Sequence, residues 1–306
     1  VAPPAVGNST LYGVDALASD DVWAVGGAHG DSLVEHWDGT GWSVAPSPRL
    51  QAADYLASVS VDAPDDAWAV GEHWIGGISG GGHYSSLIEH WDGVQWTVSN
   101  SPDVVADQPL TSSANGGVSL DSVRTYSAEV GDNLLLSVDA HSPSDVWAVG
   151  FYFITGNDRP LALHWDGQAW TAVNPPGTGS LASVLALPGG PVRAFGSSDV
   201  RVGRSVPPFL AEWGGSSWRK TTLPMPDSAT VASSTATSAS DVWAVGQTRA
   251  VNPGPLVENW DGHSWDSIGS GSPGTSLYGV AASDGLIVAV GGTTHSPEQP
   301  VVLQGC

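Results

Sequence analysis

The residues best equipped for chemistry gather in a few loops. Trp74 and Tyr84 flank a glycine-rich stretch, His73-Trp74-Ile75-Gly76-Gly77-Ile78-Ser79-Gly80-Gly81-Gly82-His83-Tyr84. An aromatic on such a loop suits stacking on a sugar ring or a partner's side chain; the plainer reading is that it covers its own glycines. Arg49, Arg124, Arg159, Arg201, Arg204 and Arg249 are also placed in loops. Guanidinium forks suit carboxylate, sulfate or phosphate. Neighbouring Asp158 and Asp199 would instead make ordinary surface pairs with them. His29, His73, His83 and His295 lie near Asp31, Glu72 and Glu298. Imidazole with carboxylate could hold a divalent cation, but no pair has true ligand spacing, and no cofactor is predicted.

Two catalytic signatures match and fail on context. Gly77-Ile78-Ser79-Gly80-Gly81 fits G-x-S-x-G, which works only on a strained strand-to-helix elbow. Gly30-Asp31-Ser32-Leu33 spells an esterase signature belonging to a fold with helices, and no helix-period segment is present here. The lone lysine, Lys220, excludes a Walker A loop and a kinase. The net charge of -22 argues against nucleic acid. Of 31 acids 24 are Asp, many in Ser-x-Asp and Trp-Asp-Gly turns, so part of the acidity is turn chemistry. No apolar run approaches a membrane span. Cys306 is the only cysteine and can close no intrachain disulfide.

The elements that must position these loops come from a repeat. Asp21-Val22-Trp23-Ala24-Val25-Gly26, then Glu35-His36-Trp37-Asp38-Gly39 and Trp42, returns around Trp68, Trp91 and Trp96. It returns again around Trp147, Trp165 and Trp170, and around Trp243, Trp260 and Trp265, with a worn copy carrying Trp213 and Trp218. Self-similarity at this period denotes an array or a propeller. The Val-Trp-Ala-Val-Gly strand is apolar at consecutive positions, as in a sheet covered on both faces. Trp-Asp-Gly is a hairpin signal, leaving Trp37 and Trp42 opposed across the turn. Small residues at Gly13, Ser58, Ser137, Ser183, Ser233 and Gly279 indicate innermost strands converging on an axis. His36, His90 and His164 share a position held elsewhere by Glu212 and Asn259, which points to packing rather than ligation.

The expectation is an all-β chain: a single six-bladed β-propeller over residues 1–306, closed by an N-terminal strand that completes the last blade. Blade 1 spans 11–50, blade 2 56–101, blade 3 134–177, blade 4 181–226 and blade 5 230–272, with an insertion at 102–133. Blade 6 takes 277–306 plus 1–10, because Val1-Ala2-Pro3 matches Val44-Ala45-Pro46.

The pattern Asp-Val-Trp-Ala-Val-Gly … Leu-Val-Glu-His-Trp-Asp-Gly-x-x-Trp resembles a Kelch-type repeat, most closely those of secreted propellers of high-GC Gram-positive (actinobacterial) bacteria. The resemblance implies an extracellular protein, often sugar-binding. Val1-Ala2-Pro3-Pro4 would suit a terminus left by signal cleavage. The radical copper site of Kelch-like oxidases needs a Tyr–Cys pair and is not carried over.

Loop lengths separate the two faces. The strand-three to strand-four tryptophan separation is five in every complete copy, whereas strand two to strand three varies through 14, 23, 18 and 17. One face therefore carries uniform turns and the other the variable loops, where binding usually resides. Three functional readings follow: a lectin-like, non-catalytic propeller binding carbohydrate on the variable face; a polysaccharide lyase or glycosidase on an anionic glycan; or a scaffold subunit of an extracellular, toxin-type assembly that docks a partner protein there. Ligand contacts would come from Trp74, Tyr84, His73, His83, Arg124, Arg159, Arg201, Arg204 and Arg249. An enzyme would use His73, His83, Tyr126 and Arg159 for proton exchange and charge neutralisation. If the N-terminal strand closes blade 6, deleting residues 1–9 exposes a sheet edge and causes aggregation. Size-exclusion chromatography showing a monomer as stable as the intact chain would contradict that closure.

Overall fold

The computed structural model describes residues 7–50, 53–76, 82–104, 131–154, 157–187, 189–197, 207–226, 229–248, 254–268, 273–283, 285–293 and 299–305. Every regular element among them is a β-strand. The first blade is β1 (Ser9–Ala18), β2 (Asp21–Ala28), β3 (Asp31–Trp37) and β4 (Trp42–Ala45); the second is β5 (Asp54–Ala63), β6 (Asp66–Gly76), β7 (Gly82–Trp91) and β8 (Trp96–Val98). The third runs β9 (Asn133–Ser142), β10 (Asp145–Ile154), β11 (Asn157–Trp165) and β12 (Trp170–Ala172). The fourth is β13 (Ser180–Ala186), β14 (Val192–Ser197), β15 (Phe209–Trp213) and β16 (Trp218–Thr222). The fifth is β17 (Thr230–Ser238), β18 (Asp241–Gln247), β19 (Pro255–Trp260) and β20 (Trp265–Ser267), and the sixth β21 (Thr275–Ser283), β22 (Leu286–Thr293) and β23 (Pro300–Gly305). Each is an antiparallel meander, giving the six blades of a β-propeller. The sixth shows three strands among the described residues, and the N-terminal strand expected to complete it, Val1-Ala2-Pro3, lies outside them. The sixth-to-first seam is the least covered there: Val14 and Val302 are 68% and 64% exposed, against 5% for Val59.

Tryptophans lock neighbouring blades. At the first three seams the strand-two tryptophan of one blade enters between the strand-three and strand-four tryptophans of the next. Trp23 meets Trp91 at 5.0 Å and Trp96 edge-on at 5.2 Å. Trp68 meets Trp165 and Trp170, and Trp147 meets Trp213 and Trp218, in the same way. The repeat histidine stacks on the inserted indole, at 4.2 Å for His36 on Trp23, and its Nε2 reaches Asp21 Oδ1 at 2.8 Å. His90 and His164 repeat that arrangement with Asp66 and Asp145. These histidines pack and hydrogen-bond, as the tolerance at their position implies. The Trp-Asp-Gly turn is held by the carboxylate: Asp38 Oδ1 accepts from the backbone N–H groups of Thr40 and Gly41 at 2.8 and 2.9 Å. The Thr40 hydroxyl, which donates to the same oxygen at 2.7 Å, together with these N–H groups draws the Asp38 pKa down to about 2.

The small inner-strand residues do more than allow close approach. An innermost strand has no ladder partner on its axial side, so its N–H groups need other acceptors. Short side chains of the preceding blade supply them: Val138, Val184 and Ser234 N–H donate to Ser58, Ser137 and Ser183 Oγ at 3.3, 3.2 and 3.1 Å. One step further along, Val61, Ala140 and Ala186 N–H donate to Asp15, Ser60 and Asp139. The inner strands surround a central channel of about 710 Å³.

The glycine closing each strand-two block answers to the same crowding. Inner strands carry a bulge just after Leu11 and Leu56 that turns a carbonyl onto the facing glycine. A Cβ on Gly71 would lie 2.0 Å from the Tyr55 oxygen, whereas one on Gly41 would meet nothing within 4 Å. Gly71→Ala should therefore cost roughly 3 kcal/mol by forcing the strand apart, and Gly41→Ala less than about 0.5 kcal/mol. Urea denaturation of the two variants decides; equal midpoints would show that the bulge moves freely.

Candidate functional site

Among the described residues the second blade carries the longest strand, β6. Its hairpin extends as regular strand to Gly76 and from Gly82, so Trp74 and Tyr84 stand on strands rather than on a free loop. Pairing runs His73↔Ser85, Trp74↔Tyr84 and Ile75↔His83. Directly opposed residues share a face and successive ones alternate. The expected cluster is therefore divided: Trp74 and Tyr84 lie on one face of the hairpin, His73 and His83 on the other.

On the aromatic face the Trp74 and Tyr84 rings meet edge to face at 5.0 Å. Trp74 also lies over the backbone of Gly82, where a Cβ would come within 2.2 Å of the indole. Both rings are half-buried. Glu72 and Tyr55 occupy the same face by register. The Tyr55 hydroxyl donates to the Glu72 carboxylate; burial raises both groups' pKa, and that bond raises Tyr55 further while holding Glu72 back. Tyr55 in turn packs against Tyr12 at 5.6 Å. Tyr12 and Tyr278, from blades 1 and 6, line one mouth of the channel, 60% and 62% exposed. An aromatic strip thus leads from the channel mouth to the tip of blade 2. The sequence reading missed Tyr12, Tyr55 and Tyr278, which are spread across three copies of the repeat and converge only when the ring forms.

On the opposite face His73 pairs in register with Asp54. Beneath lie buried acids. Asp54 accepts from Ser32 N–H at 3.4 Å, and Glu89, fully buried, accepts from Ser47 Oγ at 2.9 and 3.1 Å and from Ser32 Oγ at 3.3 Å. Ser32, the serine of the esterase-like signature, is thereby spent on Ser47 and Glu89. Burial pushes the Glu89 carboxyl up to about 7 despite these bonds. His29 occupies a two-residue hairpin turn with φ of 56°, beside Gly30.

The remaining residues are dispersed. Arg159 donates to the Gly177 carbonyl at 3.1 Å, and Arg49 stands 3.7 Å from Asp31 at an exposed site. Arg124, Tyr126, Arg201, Arg204, Arg249 and His295 lie outside the described residues, as do the middle of the insertion and Ser79 of the G-x-S-x-G match. The two ends of the insertion are joined by Asn133, whose Oδ1 accepts from Val104 N–H at 2.9 Å and whose Nδ2 donates to Gly131 at 2.9 Å. Among the described residues no three His, Cys, Asp or Glu side chains converge as metal ligands. Nor is there among them a helix long and apolar enough to cross a membrane.

No protein-family model matches the chain, and no curated protein matches it in sequence. Solved structures do. The fungal lectin of Aleuria aurantia, a six-bladed β-propeller with a fucose recognition mode, is similar over 98% of this chain and 95% of its own, at 11% identity and a TM-score of 0.55. YCF48 bound to D1 peptide is similar over 98% of this chain and 82% of its own, at 14% identity and a TM-score of 0.53. Trypanosoma rangeli sialidase in complex with sialic acid is similar over 97% of this chain but 54% of its own, at 11% identity and a TM-score of 0.57. At such identities these likenesses establish the fold alone.

The buried Glu89 makes stability fall as pH rises. Its folded pKa of about 7 exceeds the ordinary 4.5, so between those values the folded chain keeps a proton that the unfolded chain has lost. The contribution is whole below pH 4.5 and is lost through pH 7, on the order of 3 kcal/mol in all. Glu89→Gln should be more stable than wild type at pH 8 and match it near pH 4. Denaturation at both pH values checks this, and an unchanged pH slope in the variant would refute it.

Proposed function

We propose that the chain is a secreted, non-catalytic propeller that binds carbohydrate through its variable face. The observation that carries the reading is the half-exposed Trp74–Tyr84 pair, fixed on a strand extension that the repeat does not require. Stacking needs a flat, pre-positioned aromatic with a polar edge, because the sugar's C–H face buries against the ring while its hydroxyls keep partners. The strip toward Tyr55 and Tyr12 extends that platform, with the channel mouth at its end. The fold neighbours include a lectin whose structure describes fucose recognition and a sialidase bound to sialic acid, which makes carbohydrate the ligand class to test first. A partner protein stacking on the same aromatics is the competing occupant, in line with a neighbour that binds a peptide.

The enzymatic alternative would rest on a different face of the hairpin. His73 and His83 lie on the face away from Trp74, and the described hydrogen bond of Arg159 goes to a backbone carbonyl. Trp74→Ala should weaken glycan binding tenfold or more while costing little stability. Trp68→Ala, 2% exposed in a seam, should cost about 3–5 kcal/mol. Glycan-array binding and thermal unfolding of both variants separate the roles. If Trp74→Ala destabilises as much as Trp68→Ala, Trp74 is a structural plug.

A further inference from the structure

The fourth blade departs from the indole insertion of the first three seams, and the departure leaves a cavity. In β14, Arg193 stands opposite Leu185 as Trp23 stands opposite Asp15, so an arginine occupies the register of the inserted tryptophan. Glu212 stands where three other blades carry the stacking histidine. The receiving pair is intact: Trp260 and Trp265 of blade 5 lie 5.8 Å apart at 44°. Phe195 takes an edge-on place against Trp265 at 5.8 Å, but the outer part of the slot remains as a cavity of about 210 Å³. Trp265 is part-exposed.

The wall is charged and built. Arg193 is 8% exposed; it donates from Nη1 to the Ala239 carbonyl at 2.9 Å and from Nε to Glu212 Oε1 at 3.4 Å. The second Glu212 oxygen accepts from Arg219 Nη2. Two guanidiniums thus share one carboxylate against two indoles, a local positive surplus in a chain of net charge -22. Stability does not explain the exchange of tryptophan for an ion pair, since buried pairs seldom outperform well-packed apolar groups.

We propose that this seam is a second saccharide site, taking a single pyranose ring between the Trp260–Trp265 wall and the Arg193–Glu212–Arg219 chain. The volume falls below the roughly 300–1,000 Å³ of pockets for drug-sized ligands, which fits one ring and not an oligosaccharide. A flat aromatic ligand would strip water from the ion pair and return no hydrogen bonds. A pyranose presents C–H groups to the indoles and hydroxyls that donate to Glu212 and accept from the guanidiniums. The site is separate from the Trp74 platform and does not depend on it.

The test is a titration of the full chain with methyl glucoside, methyl galactoside, methyl mannoside and methyl glucuronide, following the indole N–H resonances of Trp260 and Trp265. Saturable shifts with at least one of the four are expected. Arg193→Trp with Glu212→His restores the arrangement of the first three seams; it should fold as stably as wild type and bind at least tenfold more weakly. Arg219→Ala, whose side chain is 75% exposed and carries little folding energy, should weaken binding threefold or more even if the double variant misfolds. Trp74→Ala should leave these shifts in place, so failure of either site is read independently. The proposal is overturned if no pyranoside shifts either indole, if only an aromatic carboxylate such as indole-3-acetate does so, or if both cavity variants bind like wild type.

Discussion

The first three blade seams depend on one contact, the insertion of a strand-two indole between two indoles of the following blade. A propeller blade is a small sheet with no core of its own, so its stability must come from surface buried against its neighbours. A tryptophan buried edge-on against a second and tilted against a third supplies much apolar area, together with favourable ring geometry. Other repeat features follow from placing that ring. Histidine stacks on it and is anchored by the aspartate that opens β2; the strand-three tryptophan donates its own N–H to the preceding turn, as Trp37 does to Ser19 at 3.1 Å. The apolar run through Val-Trp-Ala-Val exists because both faces of the strand meet another blade.

Convergence on the axis sets a second, subordinate constraint. Innermost strands are crowded and lack partners on their axial side, so they use glycine where a bulged carbonyl intrudes and serine or aspartate where an N–H needs an acceptor. The aspartates have an electrostatic consequence: burial lifts Asp139 to about 6 although Ala186 N–H stabilises its charged form. Burial raises Asp15 as well, so a seam staple can hold its proton above the usual carboxylate range with no catalytic role required of it.

With the seams carrying the stability, departures from the repeat are where the proposed ligands would bind. Two departures stand out, and they differ in kind. The blade 2 hairpin adds material, lengthening strands beyond the ring and standing Trp74 and Tyr84 on a rigid support. The blade 4 seam removes material, exchanging an indole for a guanidinium and opening a slot beside two tryptophans. Solved propellers of similar shape are described with fucose, sialic acid or a peptide, as expected when the scaffold is indifferent to what its exceptions bind.

The sequence alone determined the blades. The spacing of the tryptophans, the consecutive apolar strand-two runs and the Trp-Asp-Gly turns are local signals, repeated often enough to reinforce one another, and the histidines could be assigned to packing because their position tolerates Glu212 and Asn259. It also picked out Trp74 and Tyr84, since an aromatic outside the repeat needs no structure to be noticed. Only the tertiary structure decided how the candidates group. Register put His73 and His83 on the face away from Trp74, a matter of one residue's alternation along β6. Packing of neighbouring blades brought Tyr12 and Tyr55 together, and showed the inner serines to be acceptors for the next blade's backbone. The meaning of Arg193 was hidden for the same reason: in the sequence it is one arginine in a worn copy, and only the neighbouring blade's empty indole slot shows what the substitution opened.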